Sequence, residues 1–362
     1  MTVMFQPSRA SALARLADAR VELCDLAAEG DRGGGFPSRS VAVLRRLGVL
    51  DAFAGLAEPP ADALMEALRG VGRADLSLGR IFEGHVNAVR LIAWYGDDAQ
   101  KHTLAQDLKA ERLFGVWATE PPPGVRVIED GGGPVLEGAK SFATGCLGLD
   151  RAIITVEAKG EKRLLVAPIT PARADVGGWT TRGMRATGSG LYDFTGVPVR
   201  PQMWLGQAGD YEREPRFTGG AWRFTAVQLG GVERLVMLIR EHLRQGSGHG
   251  DPLQRRGFAM AVAAARTAGL WVRQAAELTQ QDRPEAAALT LMTRGVVERA
   301  GLKVMEIAAR AIGTRSFFAD QEVDRITRDL GLYLRQAQPD LAVDRAAMAW
   351  LEADCWGEDP WW

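Results

Sequence analysis

The sequence predicts a mainly helical protein with a β middle domain: a helical N-terminal domain, an antiparallel β barrel or sandwich, and a C-terminal four-helix bundle. Three observations predict it. Apolar residues recur at helical spacing over the first third of the chain. The period then shortens to that of strands, broken by glycine and proline turns. Helical spacing returns in four long segments with short joins, as in an antiparallel bundle. At 362 residues the chain exceeds what one core supports. Boundaries are expected at 1–112, 113–205 and 206–362.

In the first third, Leu13, Leu16, Leu23 and Leu26 mark a helix over residues 8–30. The run DRGGGFP at 31–37 breaks it. Its three glycines lack the spacing of a phosphate-binding loop, so a mobile loop is expected. Ser38 is placed to cap the next helix, which stops at Gly48. Residues 62–95 read as helical again, with Gly79, Gly84 and Ala88 small enough for close helix approach. His85 falls on this packed face, where one hydrogen bond is the expected role. A short helix follows at 99–108.

In the middle third, strand-like runs lie at 116–119, 125–128, 135–139, 152–156, 164–169 and 191–199. No helix alternates with them, which disfavours a doubly wound dinucleotide-binding domain. In the last third, helical segments are expected at 232–243, 253–279, 284–311 and 321–336. Two tryptophans close the chain, either pinning a subunit contact or ending a loosely packed terminus.

Composition excludes several classes. Lys and Arg number 44 against 45 Asp and Glu, so no dominant nucleic-acid surface is expected. No apolar run is long enough to span a bilayer, and no secretory leader is evident; a soluble cytoplasmic protein is expected. Cys24, Cys146 and Cys355 are far apart and show no metal-ligand spacing. No metal site is expected, and Cys146 reads as a small buried filler.

Six phrases, in order, carry a resemblance: GRIFEGHVNAVRLIAWYG (79–96), GVWATEP (115–121), EGAKSFATG (137–145), GMRATGSGLYDFTGVPV (183–199), GGVERLV (230–236) and DRITRDL (324–330). Together they resemble the acyl-CoA dehydrogenase superfamily of flavoproteins over essentially the whole chain. The resemblance implies FAD, with FMN left open, held between the β domain and the bundle. Ala118 and Thr119 match the strand that offers groups to the pyrimidine edge of the flavin. Phe142 and Thr144 match the strand that stacks an aromatic on the ring and bonds N5. Reduced flavin needs donors at these edges and a flat neighbour. The stiff turn Glu120-Pro121-Pro122-Pro123-Gly124 and the text around 246–252 depart from the family's phosphate contacts. Arg315, in the turn before the next helix, either contacts phosphate or is a solvated loop charge.

The resemblance also implies α,β-dehydrogenation of an acyl thioester, on CoA or a carrier, which needs a carboxylate base in a dry pocket. The common position of that base, counted from Arg328, falls near Ala337 and Gln338, and neither ionises. A minority of the family takes its base from the first bundle helix, before an arginine. Glu233, followed by Arg234, matches that text and is the expected catalytic residue; its alternative is a first-turn helix acid favoured by the macrodipole. A second reading keeps the fold but changes the reaction to that of a two-component monooxygenase using reduced flavin and O2. A third, a non-enzymatic or DNA-associated relative, is disfavoured by the even charge. The implied partners are an electron-transfer flavoprotein or a flavin reductase, with a homodimer or homotetramer as the assembly.

Overall fold

The computed structural model describes residues 8–246, 250–336 and 338–352. Helices come first: α1 (Arg9–Asp18), α2 (Arg20–Gly33), α3 (Ser38–Arg46), α4 (Val49–Phe53), α5 (Ala61–Ala74), α6 (Leu76–Tyr95) and α7 (Asp98–Lys109). The stretch expected as one helix over 62–95 is two. Asp75 divides it: its backbone is extended and its carboxylate accepts from the amides of Ser77 (2.8 Å) and Leu78 (3.1 Å). An aspartate in that conformation starts a helix by satisfying its free amides.

Two local expectations are corrected. The loop placed at 31–37 begins only at Gly34, because α2 continues through Gly33. Asp31 is held there by two hydrogen bonds from Arg328, at 3.0 and 2.6 Å. Ser38 opens α3 without capping it; Pro37 occupies the cap position.

The β region comprises β1 (Phe114–Trp117), β2 (Arg126–Asp130), β3 (Gly133–Glu137), β4 (Ala139–Lys140), β5 (Arg151–Ala158), β6 (Glu161–Pro168), β7 (Ala174–Asp175), β8 (Leu191–Asp193) and β9 (Trp204–Leu205). The larger sheet has the order β3-β2-β5-β6-β9, with β1 also on β5; the smaller is β4-β8-β7. The sheets are not wholly antiparallel as expected, since β1 and β2 both run parallel to β5. Trp117 pairs with Ile154 and Arg126 with Glu157. The chain therefore spends residues 118–125 where β5 barely advances. That segment must bulge off the sheet edge, and it carries Ala118 and Thr119.

The last part holds α8 (Arg216–Gly219), α9 (Trp222–Gln245), α10 (Pro252–Gln280), α11 (Ala286–Ile312), α12 (Glu322–Tyr333) and α13 (Pro339–Glu352). The four expected segments fall in α9 to α12. The fifth long helix, α13, was not expected; it packs on α11, and Trp350 stacks on Trp271 of α10 at 6.5 Å. Cys355 and the closing tryptophans lie outside the described residues.

The N-terminal helices and the bundle share one apolar core. They meet most closely where α5 crosses α9. A methyl group at Gly72 would lie 2.2 Å from the Val227 carbonyl oxygen, and one at Gly230 would lie 2.3 Å from that of Arg69. Only glycine permits backbones to approach this closely. Gly79 of α6 brings that helix to the same residue of α9: a methyl group there would lie 2.5 Å from Val227 Cγ1. Gly84 does not: its open side faces a crevice. No helix of the described residues is long and apolar enough to cross a membrane.

Candidate active site

The bulged segment after β1 is pinned to the segment after β4. Ser141 N donates to the Thr119 carbonyl at 3.0 Å. Lys140, wholly buried, ion-pairs with Glu120 and donates to Thr155 Oγ1 at 2.8 Å. Burial lowers the Lys140 pKa, and Glu120 opposes that shift. Loss of that carboxylate would strand a buried ammonium. Four of the expected residues thus come together: Ala118 and Thr119 on one segment, Phe142 and Thr144 on the other. Phe142 is 65 % exposed, with φ +52° and only an edge contact to Trp179. Thr144 accepts from Trp117 Nε1 through its carbonyl (2.9 Å) and from Ser189 Oγ through its hydroxyl (3.3 Å). An open aromatic beside threonine hydroxyls and main-chain groups suits a flat heterocycle with polar edges.

Next to this face lies a crevice of about 370 Å³ between α6, α8, α9 and α11. Val116, Arg80 and Gly84 line both the crevice and the narrow gap beside Thr144. On α6, Arg80, Glu83 and Asn87 form its polar floor. Glu83 accepts from both Arg80 and Asn87. Asn87 Oδ1 in turn accepts from Arg223 Nη1 of α9 at 3.1 Å. Arg223 is 3 % exposed, and its Nε has no partner. Its guanidinium lies by Trp94 and Trp222, at 5.8 and 5.5 Å from the ring centres. Burial lowers its pKa to about 10, so it stays charged at neutral pH. The buried hydroxyl of Tyr333 lies within the electrostatic reach of Glu83 and Arg80 and is unpartnered.

Glu233 is not in this crevice. Its carboxylate faces α5, 2.7 Å from Arg73 and 3.3 Å from Arg69. It stands ten residues beyond Arg223 on the same helix, about 15 Å along the axis. A side chain spans only a few ångströms, and the one expected as the base is engaged by two arginines on the α5 side. Gln338 does line the crevice; Ala337 lies outside the described residues. Arg315 is exposed in a short turn after α11, with no described contact to the Phe142 face of its own chain.

His85 and Cys146 are structural. Phe114 N donates to His85 Nδ1 at 3.2 Å, and burial lowers the imidazole pKa to about 3. The Cys146 thiol is buried against the Gly188 carbonyl at 3.1 Å, with its pKa raised to about 11 by burial. Neither is poised for proton transfer or attack at neutral pH. The sequence reading missed Arg80, Glu83, Asn87 and Arg223. A signal existed: Arg80, Glu83 and Asn87 sit at i, i+3 and i+7, a polar stripe on a mostly apolar helix.

The chain is helical, then β, then helical, with a crevice lined from α6, β1 and the bundle, and comparison with known proteins shows what it is similar to. Residues 214–334 match the family model "Acyl-CoA dehydrogenase, C-terminal domain". The chain is 25 % identical over 303 residues to the mitochondrial isobutyryl-CoA dehydrogenase of Dictyostelium discoideum, covering 77 % of this chain and 71 % of that one. It is 26 % identical over 355 residues to the dibenzothiophene monooxygenase of Rhodococcus erythropolis, covering 84 % of each. The crystal structure of FMN-bound TdsC from Paenibacillus sp. A11-2 superposes with a TM-score of 0.84 at 20 % identity, covering 94 % of this chain and 97 % of that one. That likeness shows the fold. Residues 214–334 thus resemble the C-terminal domain of acyl-CoA dehydrogenases, and the whole chain is distantly similar to flavin-dependent dehydrogenases and monooxygenases of that fold.

Proposed function

We propose that the chain is a flavin-dependent enzyme that adds one oxygen atom of O2 to a small molecule held in the α6–α9–α11 crevice. The observation that carries this reading is the crevice's supply of acids. Among the described residues Glu83 is the only carboxylate lining it, and Arg80 and Asn87 already engage that side chain. Removing a proton from the carbon beside a thioester needs an available carboxylate; oxygenation does not. The dibenzothiophene monooxygenase relative, aligned along 84 % of the chain, supports the same side.

The proposed flavin, FAD or FMN, would be held by Ala118, Thr119, Phe142 and Thr144. When bound, it supplies the two-electron reduction of O2, receiving its electrons from a separate flavin reductase. One oxygen atom goes to substrate and the other leaves as water with two protons. Phe142 offers the flat contact. The Lys140–Glu120 pair fixes the two segments relative to each other, and the α6 floor orients substrate from the far side. Arg315 would reach flavin phosphate only from another copy, which fits the dimer or tetramer we propose as the assembly.

A second reading is favoured by the isobutyryl-CoA dehydrogenase relative: acyl-thioester oxidation, with electrons passed to an electron-transfer flavoprotein. Glu83, not Glu233, would then be the base. One experiment separates the two. Flavin-reconstituted protein is mixed with an acyl-CoA panel under argon, and photoreduced holoprotein is then mixed with O2. The oxygenase reading expects no bleaching under argon, and reoxidation by O2 in two resolved phases. Anaerobic bleaching by any acyl-CoA would overturn it.

A further inference from the structure

We propose that the crevice selects a small organic anion, with Arg223 as the residue that receives its charged oxygens. This names the substrate class of the site described above and rests on that reading only for what happens after binding. The lining holds five guanidiniums, from Arg80, Arg216, Arg223, Arg294 and Arg345, against the single carboxylate of Glu83. Their charges are not equally spoken for. Arg80 is matched by Glu83. Arg216 makes a two-pronged pair with Asp282, at 3.1 and 2.8 Å. Among the described residues Arg223 has no carboxylate in contact, Glu58 and Glu83 acting on it only from farther off: it gives one hydrogen bond to a neutral amide and keeps a buried Nε–H without an acceptor.

A buried cation in that condition is costly, and a buried donor left unmade costs further. Two tryptophan rings lie near the guanidinium, at 5.8 and 5.5 Å, and restrict it, so less conformational freedom remains to be lost on binding. An oxyanion head supplies what is missing, since a planar guanidinium edge matches paired oxygens. Arg294 and Arg345 add to the field. Burial lowers the Arg294 pKa, Glu298 opposes that shift, and Arg345 adds a smaller lowering; an anion between these elements adds a counter-charge. The remaining lining from Leu91, Trp94, Phe217, Phe224 and Leu291 is apolar or aromatic. The fitting ligand therefore joins a compact hydrocarbon or aromatic body to a carboxylate, sulfinate or sulfonate head. A neutral acyl chain would leave the buried cation without a counter-charge in contact.

The test is binding, read without turnover. Benzoate and benzenesulfonate are titrated into oxidised, flavin-reconstituted protein, beside benzamide and benzenesulfonamide, and followed by tryptophan quenching and calorimetry. Each anion should bind at least tenfold more tightly than its neutral counterpart, with affinity falling as salt rises. Arg223→Gln should erase that preference while leaving benzamide affinity within threefold. Arg294→Gln, at a less buried position, should reduce the preference by a smaller factor and covers the case in which Arg223→Gln fails to fold. Equal affinity for anions and amides, or full preference in a folded Arg223→Gln protein, would overturn the proposal. The outcomes stay separable. Anion preference without O2 chemistry sinks only the oxygenase reading, and O2 chemistry without the preference sinks only this one.

Discussion

Two charged residues of α9, Glu233 and Arg223, are met in opposite ways. At Glu233 the carboxylate is met by Arg69 and Arg73 across the seam with α5, in a region where glycines bring the two backbones together. Charge there is neutralised between neighbours, and no space remains for a ligand. At Arg223, ten residues earlier, the helices diverge. The guanidinium meets one amide, two rings and a crevice. The contrast shows that residue type does not mark a functional charge. What marks it is whether the opposite charge is already supplied by the chain.

The sharpest way to break this comparison is to act on spacing. Gly230→Val should be the most damaging change, because its Cβ would meet the Arg69 carbonyl oxygen at 2.3 Å and a backbone atom cannot rotate away. A loss of more than about 3 kcal/mol is expected by chemical denaturation, at the upper end for overpacking. Gly84→Ala faces the crevice, with its nearest neighbour, Arg80 Nη1, at 3.7 Å. It should change stability by less than about 1 kcal/mol, helix propensity favouring alanine. If both are tolerated equally, the seam is not the closed contact described here.

A third acid sharpens the point. Asp329 of α12 is buried and accepts from Met184 N at 2.5 Å, without a guanidinium in contact. Burial raises its pKa to about 7, with Asp75 and Asp31 adding to the rise and Arg325 opposing it. The folded state therefore holds this proton more tightly than the unfolded chain. Stability from this group is full below about pH 4 and falls as pH rises toward 7. A decline on the order of 2 kcal/mol between pH 4.5 and 7.5 is expected from denaturation curves. Asp329→Asn should flatten it, since the amide oxygen still accepts from Met184. A slope unchanged in that variant would assign the pH dependence elsewhere, Asp75 being the next candidate because burial raises its pKa as well.

The order of helical, β and helical regions was legible because period and turn residues are local properties. The meeting of Ala118 and Thr119 with Phe142 and Thr144 was legible through the resemblance; the bulge that presents the first pair depends on β1 and β2 sharing β5, which no local pattern states. Glu233 shows the other limit. Apolar neighbours on both sides signalled partial burial correctly, but burial has a direction, and that direction depends on arginines some 160 positions earlier. The stripe of Arg80, Glu83 and Asn87 was visible in α6. Its meaning came only with Arg223, which the fold carries in from another helix.

The mildest prediction separates structural from functional acid most directly. Glu233→Gln removes the counter-charge of two partly buried arginines, so about 1–2 kcal/mol of stability should be lost. That lies below the range for a fully buried pair because all three side chains retain some solvent contact. Activity per folded molecule should stay within threefold of the parent, since nothing in the crevice touches this side chain. Glu83→Gln should do the reverse. The shape is kept, and an amide oxygen can still accept from Asn87, but the negative end of the Arg80–Glu83–Asn87–Arg223 chain is gone and Arg80 loses its counter-charge. Turnover should fall at least tenfold, with anion affinity rising as the crevice becomes more cationic. A drop in KM alongside the drop in kcat would fit that account. A Glu83→Gln enzyme with normal turnover would mean that the floor of α6 only fills space.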